Sequence, residues 1–404
     1  MNILYILQQS IYNNEGKWIS ADSNVNMMSG MLREVLKNRP NWNFYILIGK
    51  LKDFADIKSY DEIFNDSRVH FIEYNFPVDA FLSRQHFNVF DFDKMYKKLP
   101  KIDVVWNNIT ELSRNIKTYL SYKKHDAKLI TTCYWLDAPE IGEGKVDQSI
   151  SYDWRQMDGF ECSDLVVFTC ESTKKAWIEN AKKKFPINKY LKPILNKSVI
   201  WDFGFSQAEL NEYGGTAFDK KTILFLNRLS GINYTHHEEF IEALKILKKI
   251  RAKDDWQVVF TNPSQKISWE YLKANVPNLY VYDEHTLTRE KYIKLLWSGD
   301  ISVHLYEKER YGGCSHREAV YTNNLIVSPK VFEYKRIQGN NYPFYCKVEP
   351  EKIAKALNKA LDSDFTSLKN AVEIESRNIE SSFEKIGTNV CNDIDAIMGI
   401  AYFM

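Results

Sequence analysis

The chain has 404 residues, which is too long for one compact core and favours two domains. Lys and Arg total 54 against 53 Asp and Glu, so a net charge of +1 provides no overall attraction to nucleic acid or to an anionic membrane. Hydrophobic residues make up 44%, which excludes a disordered chain. A local basic face remains compatible with this balance, because the net charge does not report how charges are distributed.

Six scattered cysteines show neither a CxxC pair nor metal-ligand spacing, which favours reduced thiols in a cytoplasmic protein over a disulfide framework. The apolar run at 3–7 is too short for a signal peptide. No stretch approaches the roughly 18 apolar residues of a membrane span. We therefore expect a cytoplasmic protein without a membrane span.

The first half of the chain alternates strands with helices, which is typical of a parallel α/β sheet with right-handed crossovers. Predicted strands lie at 3–7, 44–48, 69–74, 103–106, 129–133, 164–169 and 198–203. Predicted helices begin near Ser23 or Asn24, and at 112–122 and 173–184.

The alternation stops at 206–221, where Gly214 and Gly215 stand among mixed polar residues and indicate an interdomain linker. It then restarts, with predicted strands at 223–226, 257–261, 280–282, 301–305 and 325–328. Helices are predicted at 238–250, at 289–298 and from about 315. The predicted domains are 1–205 and 222–375, followed by a helical segment at 376–404. Two such doubly wound halves bind ligands at the carboxyl ends of their strands.

The most informative local pattern lies at 297–329, where a strand leads into a glycine-bearing turn that opens a helix. Backbone N–H groups at such a helix start suit an anionic diphosphate. Glu318, about one turn into the helix, can accept hydrogen bonds from ribose hydroxyls. Taken alone, the pattern fits an ordinary strand–turn–helix equally well. The candidate binding residues of the turn are Gly312, Gly313, Cys314 and Ser315.

Glu309-Arg310-Tyr311-Gly312 and Glu318-Ala319 resemble the donor-site motif of retaining GT-B glycosyltransferases, although one extra residue separates the two glutamates. The resemblance implies two Rossmann-like domains facing across a cleft, with a nucleotide sugar, in the first instance a UDP-sugar, as co-substrate. It assigns ribose binding to Glu318 and a place near the donor sugar to Glu309. Arg310 occupies the slot that the usual spacing gives to a glutamate.

The segment at 223–230 resembles the strand-Gly-Arg-Leu-Ser of the same enzymes and matches Arg228 to their phosphate-binding arginine. In that family a lysine a few residues later completes the clamp, but Asn-Tyr-Thr-His stands here at 233–236. Arg310 and Arg317 are candidate replacements. A fixed cation there offsets charge on the leaving diphosphate. The alternative for Arg228 is a surface arginine in a salt bridge.

The first half offers weaker candidates. Gly16, in the loop after the first strand, suits close approach of the backbone to a ligand. Asp137 follows the strand at 129–133 and could take a proton from an acceptor hydroxyl, although a turn aspartate is an equally good interpretation. Asp91 and Asp93 form an Asp-x-Asp that we interpret as solvated charge, and no metal site is otherwise evident.

Ser315-His316-Arg317-Glu318 resembles the Thr-His-Leu-Glu run of phage DNA α-glucosyltransferases, and Asp137 matches the aspartate of their His-Asp pair. This resemblance implies a 5-hydroxymethylpyrimidine in double-stranded DNA as acceptor, reached in the major groove or by base flipping, and the host cytoplasm as the location. Lysine runs could line such a site, or could be solvated helix faces. The runs are Lys97-Lys98, Lys123-Lys124, Lys174-Lys175 and Lys182-Lys183-Lys184.

Three hypotheses therefore remain open. The first is a DNA-modifying glycosyltransferase, the second is a transferase of bacterial cell-surface glycans, and the third is a non-catalytic GT-B binding module. The missing lysine motivates the third. The second would need a basic-apolar membrane face, which the sequence does not show.

Overall fold

The computed structural model describes residues 1–7, 23–49, 61–75, 86–133, 152–184, 188–202, 204–227, 229, 235–261, 267–283, 287–307 and 313–400. The chain divides into two compact units. Unit 1 comprises Met1–Asp202 and Phe383–Met404, and unit 2 comprises Phe203–Ser382. Each has helices packed around a parallel sheet, as the sequence predicts.

The sheet of unit 1 has seven parallel strands in the order β3-β2-β1-β4-β5-β6-β7. Its strands are largely apolar, as expected when helices cover both faces of a parallel sheet. The strand order reverses between β1 and β4. The strands are β1 Asn2–Ile6, β2 Asn43–Ile48, β3 Val69–Glu73, β4 Val104–Asn107, β5 Lys128–Cys133, β6 Leu165–Phe168 and β7 Ser198–Ile200.

The described helices of the N-terminal part of unit 1 lie between these strands. They are α1 Ser23–Asn38, α2 Val89–Tyr96, α3 Ser113–Tyr122, α4 Tyr152–Cys162, α5 Glu171–Lys184 and α6 Asn188–Asn196. The sequence predicted α1, α3 and α5 but missed α2, α4 and α6. A 3₁₀ turn at Thr110–Leu112 precedes α3.

The sheet of unit 2 has the order β11-β10-β8-β9, all parallel. Single parallel bridges add Leu279 beside β9 and Tyr345 beside β11. The strand order therefore reverses between β8 and β10, which makes this edge the expected ligand-binding position. The predicted strand at 280–282 is reduced to the bridge at Leu279. The strands are β8 Lys221–Phe225, β9 Trp256–Phe260, β10 Ile301–Val303 and β11 Leu325–Val327.

The described helices of unit 2 are α7 Gln207–Glu212, α8 His237–Ile250, α9 Trp269–Asn275, α10 Arg289–Ser298, α11 Cys314–Tyr321, α12 Phe332–Gln338, α13 Pro350–Leu361 and α14 Ala371–Ile379. The predicted helix boundaries of α8, α10 and α11 agree to within one residue. A side-chain cap explains the start of α10, because Thr288 accepts a backbone N–H there, and Ser206 caps the start of α7 in the same way.

The predicted linker at 206–221 instead packs as part of unit 2. Leu210 of α7 is fully buried, and its carbonyl accepts a 2.7 Å hydrogen bond from Trp297 Nε1 on α10. A Cβ on Gly215 would lie 2.6 Å from Trp297 Cβ, so this glycine allows a close backbone approach. The chain passes from unit 1 to unit 2 at Asp202–Phe203 and returns at Ser382–Phe383.

The predicted C-terminal segment at 376–404 is divided between the two units. Helix α14 belongs to unit 2, whereas the final helix, α15 Phe383–Ile397, returns to unit 1. Ile386, Val390 and Ile394 join Val35 of α1 in one buried cluster. Apolar residues at i, i+4 and i+8 give α15 this buried face. No helix in the described ranges is long and apolar enough to cross a membrane.

Candidate functional site

The carboxyl ends of β8 and β10 form the switch point of unit 2. Asn227 lies two residues after the end of β8 and is almost fully buried. Its Nδ2 donates to the carbonyl of Val303, the last residue of β10, at 3.1 Å. This hydrogen bond holds the carboxyl ends of β8 and β10 together, just before positions 228 and 304 in the chain.

Helix α11 begins at the same edge of the sheet. Gly313 is its N-cap, with a φ of −47° and a ψ of 162°, and its carbonyl accepts from His316 N at 3.0 Å. The first N–H groups of a helix have no acceptor within the helix, and they favour anions. Among the residues that the structure describes, nothing lies within 4 Å of a Cβ placed on Gly313.

Cys314 and Ser315 form the first turn of α11, and both are partly buried. Burial raises the pKa of the Cys314 thiol to about 12. At neutral pH this cysteine is a neutral, weakly polar group rather than a nucleophile. It does not add negative charge where the helix start favours an anion.

Glu318 is buried to 3% exposure on the same helix, and both of its carboxylate oxygens are engaged. Oε1 accepts from Arg289 Nη2 at 2.6 Å, and Oε2 accepts from the Tyr292 hydroxyl at 3.1 Å. Both partners lie on α10. Burial, followed by the charge of Glu318, raises the pKa of Tyr292 well above its ordinary value, so its hydroxyl stays protonated as a donor.

Arg289 is also bound by a second carboxylate. Its Nε and Nη2 donate to the two oxygens of Glu209, on α7, at 2.9 and 2.8 Å. Burial acts to lower the pKa of Arg289, but Glu318 and Glu209 raise it well above its ordinary value. The guanidinium is therefore permanently charged, and the cluster contains one cation and two carboxylates.

Arg317 is placed differently from what the sequence predicted. Its side chain is fully buried, and its Nη2 bonds Glu333 Oε1 of α12 at 2.7 Å, with neither group exposed. Arg336 donates to the same oxygen at 2.6 Å. The charge of Arg317 is thus engaged inside unit 2, which is a correction to its predicted role as a replacement for the phosphate-binding lysine.

Two buried histidines lie beside the start of α11. His304 follows β10, and Ser302 Oγ is 2.9 Å from its Nε2. Burial lowers the pKa of His304 to about 3 and that of His316 well below its ordinary value, so both rings are neutral near pH 7. The His316 ring packs 4.8 Å from that of Tyr334, and neither ring nitrogen has a hydrogen-bond partner among the residues described here.

His236 lies at the start of α8, within the segment that replaces the missing lysine. It adopts a left-handed conformation with a φ of 53° as the N-cap of α8. Its Nδ1 is 3.4 Å from Glu239 Oε1, and its Nε2 is 3.9 Å from Glu307 Oε2. The imidazole ring of His236 therefore stands between the carboxylates of Glu239 and Glu307.

Several predicted site residues lie outside the described residues, so their assignments stay predictions. These are Gly16, Asp137, Arg228, Glu309, Arg310 and Gly312. Of the Asp-x-Asp pair that we interpret from the sequence as solvated charge, Asp93 lies on α2 and binds Lys97 at 2.6 Å and Lys123 at 2.9 Å. The part of the chain that the structure describes contains no group of three or more His, Cys, Asp or Glu arranged to hold a metal ion.

The partners of Glu318 were missed by sequence reasoning. Arg289 is 29 residues away in sequence, and Glu209 is 80 residues from Arg289. Neither belongs to a motif. The one available signal was physical, because a carboxylate predicted one turn into a buried helix requires a cationic or hydrogen-bonding partner.

No family model and no curated protein matches the sequence. Solved structures do match over nearly the full chain. A trehalose-6-phosphate protein of E. coli bound with UDP-2-fluoro glucose has a TM-score of 0.67 at 11% identity, covering 98% of this chain and 99% of that one. The chain has the GT-B fold.

Two further GT-B structures are similar to the same extent. Anabaena HepE in complex with UDP has a TM-score of 0.65 at 12% identity, covering 98% of this chain and all of that one. Sucrose-phosphate synthase of Thermosynechococcus elongatus has a TM-score of 0.67 at 12% identity, covering 99% of this chain and all of that one. At these identities the likeness establishes the fold alone. The resemblance to phage DNA α-glucosyltransferases stays a prediction.

Proposed function

We propose that this GT-B protein is a glycosyltransferase that takes its sugar from a nucleotide sugar, in the first instance a UDP-sugar, bound at the carboxyl edge of the unit 2 sheet. The observation that carries the proposal is the placement of Glu318. This buried carboxylate lies one turn into a helix whose N-terminus is at the switch point of the sheet. UDP and UDP-2-fluoro glucose are bound by two of the similar proteins.

Each part of the donor has a matching group. The diphosphate would accept hydrogen bonds from the N–H groups of Cys314 and Ser315, with Arg228 supplying positive charge. The ribose hydroxyls would donate to Glu318. As the glycosidic bond breaks, charge develops on the diphosphate, and fixed donors at that position stabilise it.

We further propose that the anomeric configuration is retained, with Glu309 beside the donor sugar and Asp137 near the acceptor hydroxyl. The leaving diphosphate can take the proton of the incoming hydroxyl on the same face, so no strong protein base is required. Proton NMR of the first-formed product tests this point. A product with the anomeric configuration of the donor supports it, and an inverted product contradicts it.

Donor binding is tested with a panel of nucleoside diphosphates and their sugars, measured by thermal unfolding and then by calorimetry. A bound donor raises the unfolding temperature by mass action. Glu318→Ala should weaken UDP binding about 10- to 150-fold, because a hydrogen bond to a charged group contributes about 1.5–3 kcal/mol. Arg228→Ala should reduce turnover more than stability. No response to any nucleotide, or unchanged affinity in both variants, would remove the donor-site assignment.

For the acceptor, we propose a 5-hydroxymethylpyrimidine in DNA. The Ser-His-Arg-Glu resemblance supports this choice, and so does the lysine distribution of unit 1. Lys97, Lys98 and Lys124 are exposed, and the ends of α2 and α3 that carry them meet where Asp93 binds both Lys97 and Lys123. Lys175 is exposed in the first turns of α5, where the strands of unit 1 end.

The acceptor test incubates the protein with nucleotide sugars and DNA containing hydroxymethylcytosine or hydroxymethyluracil, followed by nucleoside mass spectrometry. DNA binding should weaken steeply with salt, with a log–log slope of roughly −0.9 for each phosphate contacted. If neither base is glycosylated while a lipid-linked or saccharide acceptor is, the cell-surface glycan hypothesis replaces this one.

A further inference from the structure

Two donors from α10, Arg289 and Tyr292, orient the carboxylate of Glu318 on α11. Arg289 also binds Glu209 and so links this site to α7. We propose that Arg289 is a positioning residue that fixes the plane of the Glu318 carboxylate and thereby sets the discrimination between ribose and deoxyribose in the donor nucleotide. This inference rests on the proposed function, since it concerns the same site.

The two contacts of Glu318 use different oxygens, and together they fix the orientation of its carboxylate. Arg289 Nη2 holds Oε1 at 2.6 Å, and the Tyr292 hydroxyl holds Oε2 at 3.1 Å. A carboxylate has about four lone-pair positions, so each oxygen retains one further acceptor position. Two acceptor positions in a fixed plane match two adjacent hydroxyls, as in the 2′,3′-diol of ribose. A deoxyribose offers only one of them.

Arg289 is itself held in a fixed geometry. Its Nε and Nη2 form a paired contact with both oxygens of Glu209, and its guanidinium carbon is 5.4 Å from the centre of the Tyr292 ring. The planar guanidinium can make these contacts and still reach Glu318. A lysine in its place retains the charge but cannot bind both carboxylates in the same geometry.

The experiment measures the affinity of UDP and of 2′-deoxy-UDP by calorimetry for the wild-type protein, Arg289→Lys and Arg251→Lys. Arg251 provides a matched control, because it also bridges two acidic residues of unit 2, Asp255 at 2.7 Å and Asp362 at 2.9 Å. We expect the wild type to prefer UDP by about 10-fold or more, in line with a hydrogen bond to a charged group. Arg289→Lys should abolish most of that preference, and Arg251→Lys should retain it even if its unfolding temperature falls.

A second variant covers the case in which Arg289→Lys does not fold. Tyr292→Phe removes the donor to Oε2 with little change of shape, and it should reduce the UDP preference by a smaller factor. An unchanged UDP to 2′-deoxy-UDP ratio in a folded Arg289→Lys or Tyr292→Phe overturns the inference and leaves the proposed function intact. Failure of the wild type to bind UDP overturns the proposed function, and the inference with it.

Discussion

The two units share one topology but stabilise their strand ends with different chemistry. In unit 1 a buried carboxylate, Glu111, is bound by the amide of Gln156 at 3.1 Å. The side chains that link β4 to β5 are neutral, with Asn107 Nδ2 donating to Ser113 Oγ at 2.9 Å and Ser113 Oγ lying 2.7 Å from Thr131 Oγ1. In unit 2 the buried network is charged, with Arg289 and Arg317 bound to buried glutamates. Similar sheets therefore present different buried chemistry at their strand ends.

This difference between neutral and charged side chains matters because buried charges interact strongly with a charged ligand. A network of hydroxyls and amides can orient a neutral group, but it supplies little net field. In unit 2 the paired residues Arg317 and Glu318 lie about one turn into α11, and the N–H groups at the start of that helix favour an anion. This contrast supports assigning the donor to unit 2 and the acceptor to unit 1.

The largest loss of stability is expected for Glu333→Ala, which removes a charged group from the buried network of unit 2. Removing this carboxylate leaves Arg317 buried without its counter-charge, which costs about 3–5 kcal/mol. Chemical denaturation measures the change, and hydrogen exchange should show faster opening of α11 and α12 while unit 1 is unaffected. Glu373→Ala is the matched control, because its 3.4 Å pair with Arg377 is exposed, and such pairs contribute about 0–1 kcal/mol.

A smaller effect is expected in the neutral network of unit 1. Ser113→Ala removes a hydroxyl from between Asn107 and Thr131, both fully buried, and leaves their polar atoms with fewer partners. We expect a loss of about 1–3 kcal/mol, confined to unit 1 in hydrogen exchange. A loss as large as that of Glu333→Ala would contradict the distinction between a neutral and a charged network.

The two adjacent glycines of the predicted linker test whether that segment belongs to unit 2. Gly215→Ala should destabilise unit 2 by about 1–3 kcal/mol, because the new Cβ would lie 2.6 Å from Trp297 Cβ and 2.7 Å from Ser298 N. Gly214→Ala should be nearly neutral, since its Cβ would meet nothing within 4 Å. Equal effects of the two substitutions would support a flexible linker instead.

The two units should also differ in how much their stability decreases at acidic pH. His304 has an unfolded pKa of about 6.5 and a folded pKa of about 3 because of burial, so below pH 6.5 the unfolded chain takes up a proton that the folded chain does not. The contribution of His304 to the free energy of unfolding is fully present well above pH 6.5 and decreases as the pH falls toward 3, by about 1 kcal/mol at pH 5.5.

This acid effect should be confined to unit 2, where His316 adds to it in the same direction. The described histidines of unit 1, His70, His86 and His125, are partly or fully exposed. Hydrogen exchange between pH 7.5 and 5.5 checks this difference, with His304→Asn expected to reduce it and His125→Gln expected to leave it unchanged. Earlier opening of unit 1 would contradict the account.

The alternation of apolar strands and amphipathic helices was sufficient to predict the α/β class, and the motif resemblance at 223–230 and 309–319 implied the GT-B fold. Prediction failed where local composition was misleading. Gly214 and Gly215 resemble linker residues, but Gly215 is required by a backbone packed on α10. The return of α15 to unit 1 could not be predicted either, because an amphipathic face does not specify which core it covers.

The site was only partly predictable for a related reason. Arg317 and Glu318 are neighbours in sequence, but successive helical residues point about 100° apart. Glu318 therefore contacts α10, whereas Arg317 contacts α12. The partner of Glu318, Arg289, is brought in only by tertiary packing, which a local sequence pattern does not specify.

The most direct test of the central claim, that unit 2 holds the donor, is hydrogen exchange of the wild-type protein with and without UDP, followed by mass spectrometry. The account predicts protection at 313–321 and at the carboxyl ends of β8 and β10, with little change at 104–133 in unit 1. Protection confined to unit 1, or no protection at 313–321 when UDP is shown to be bound, would contradict it.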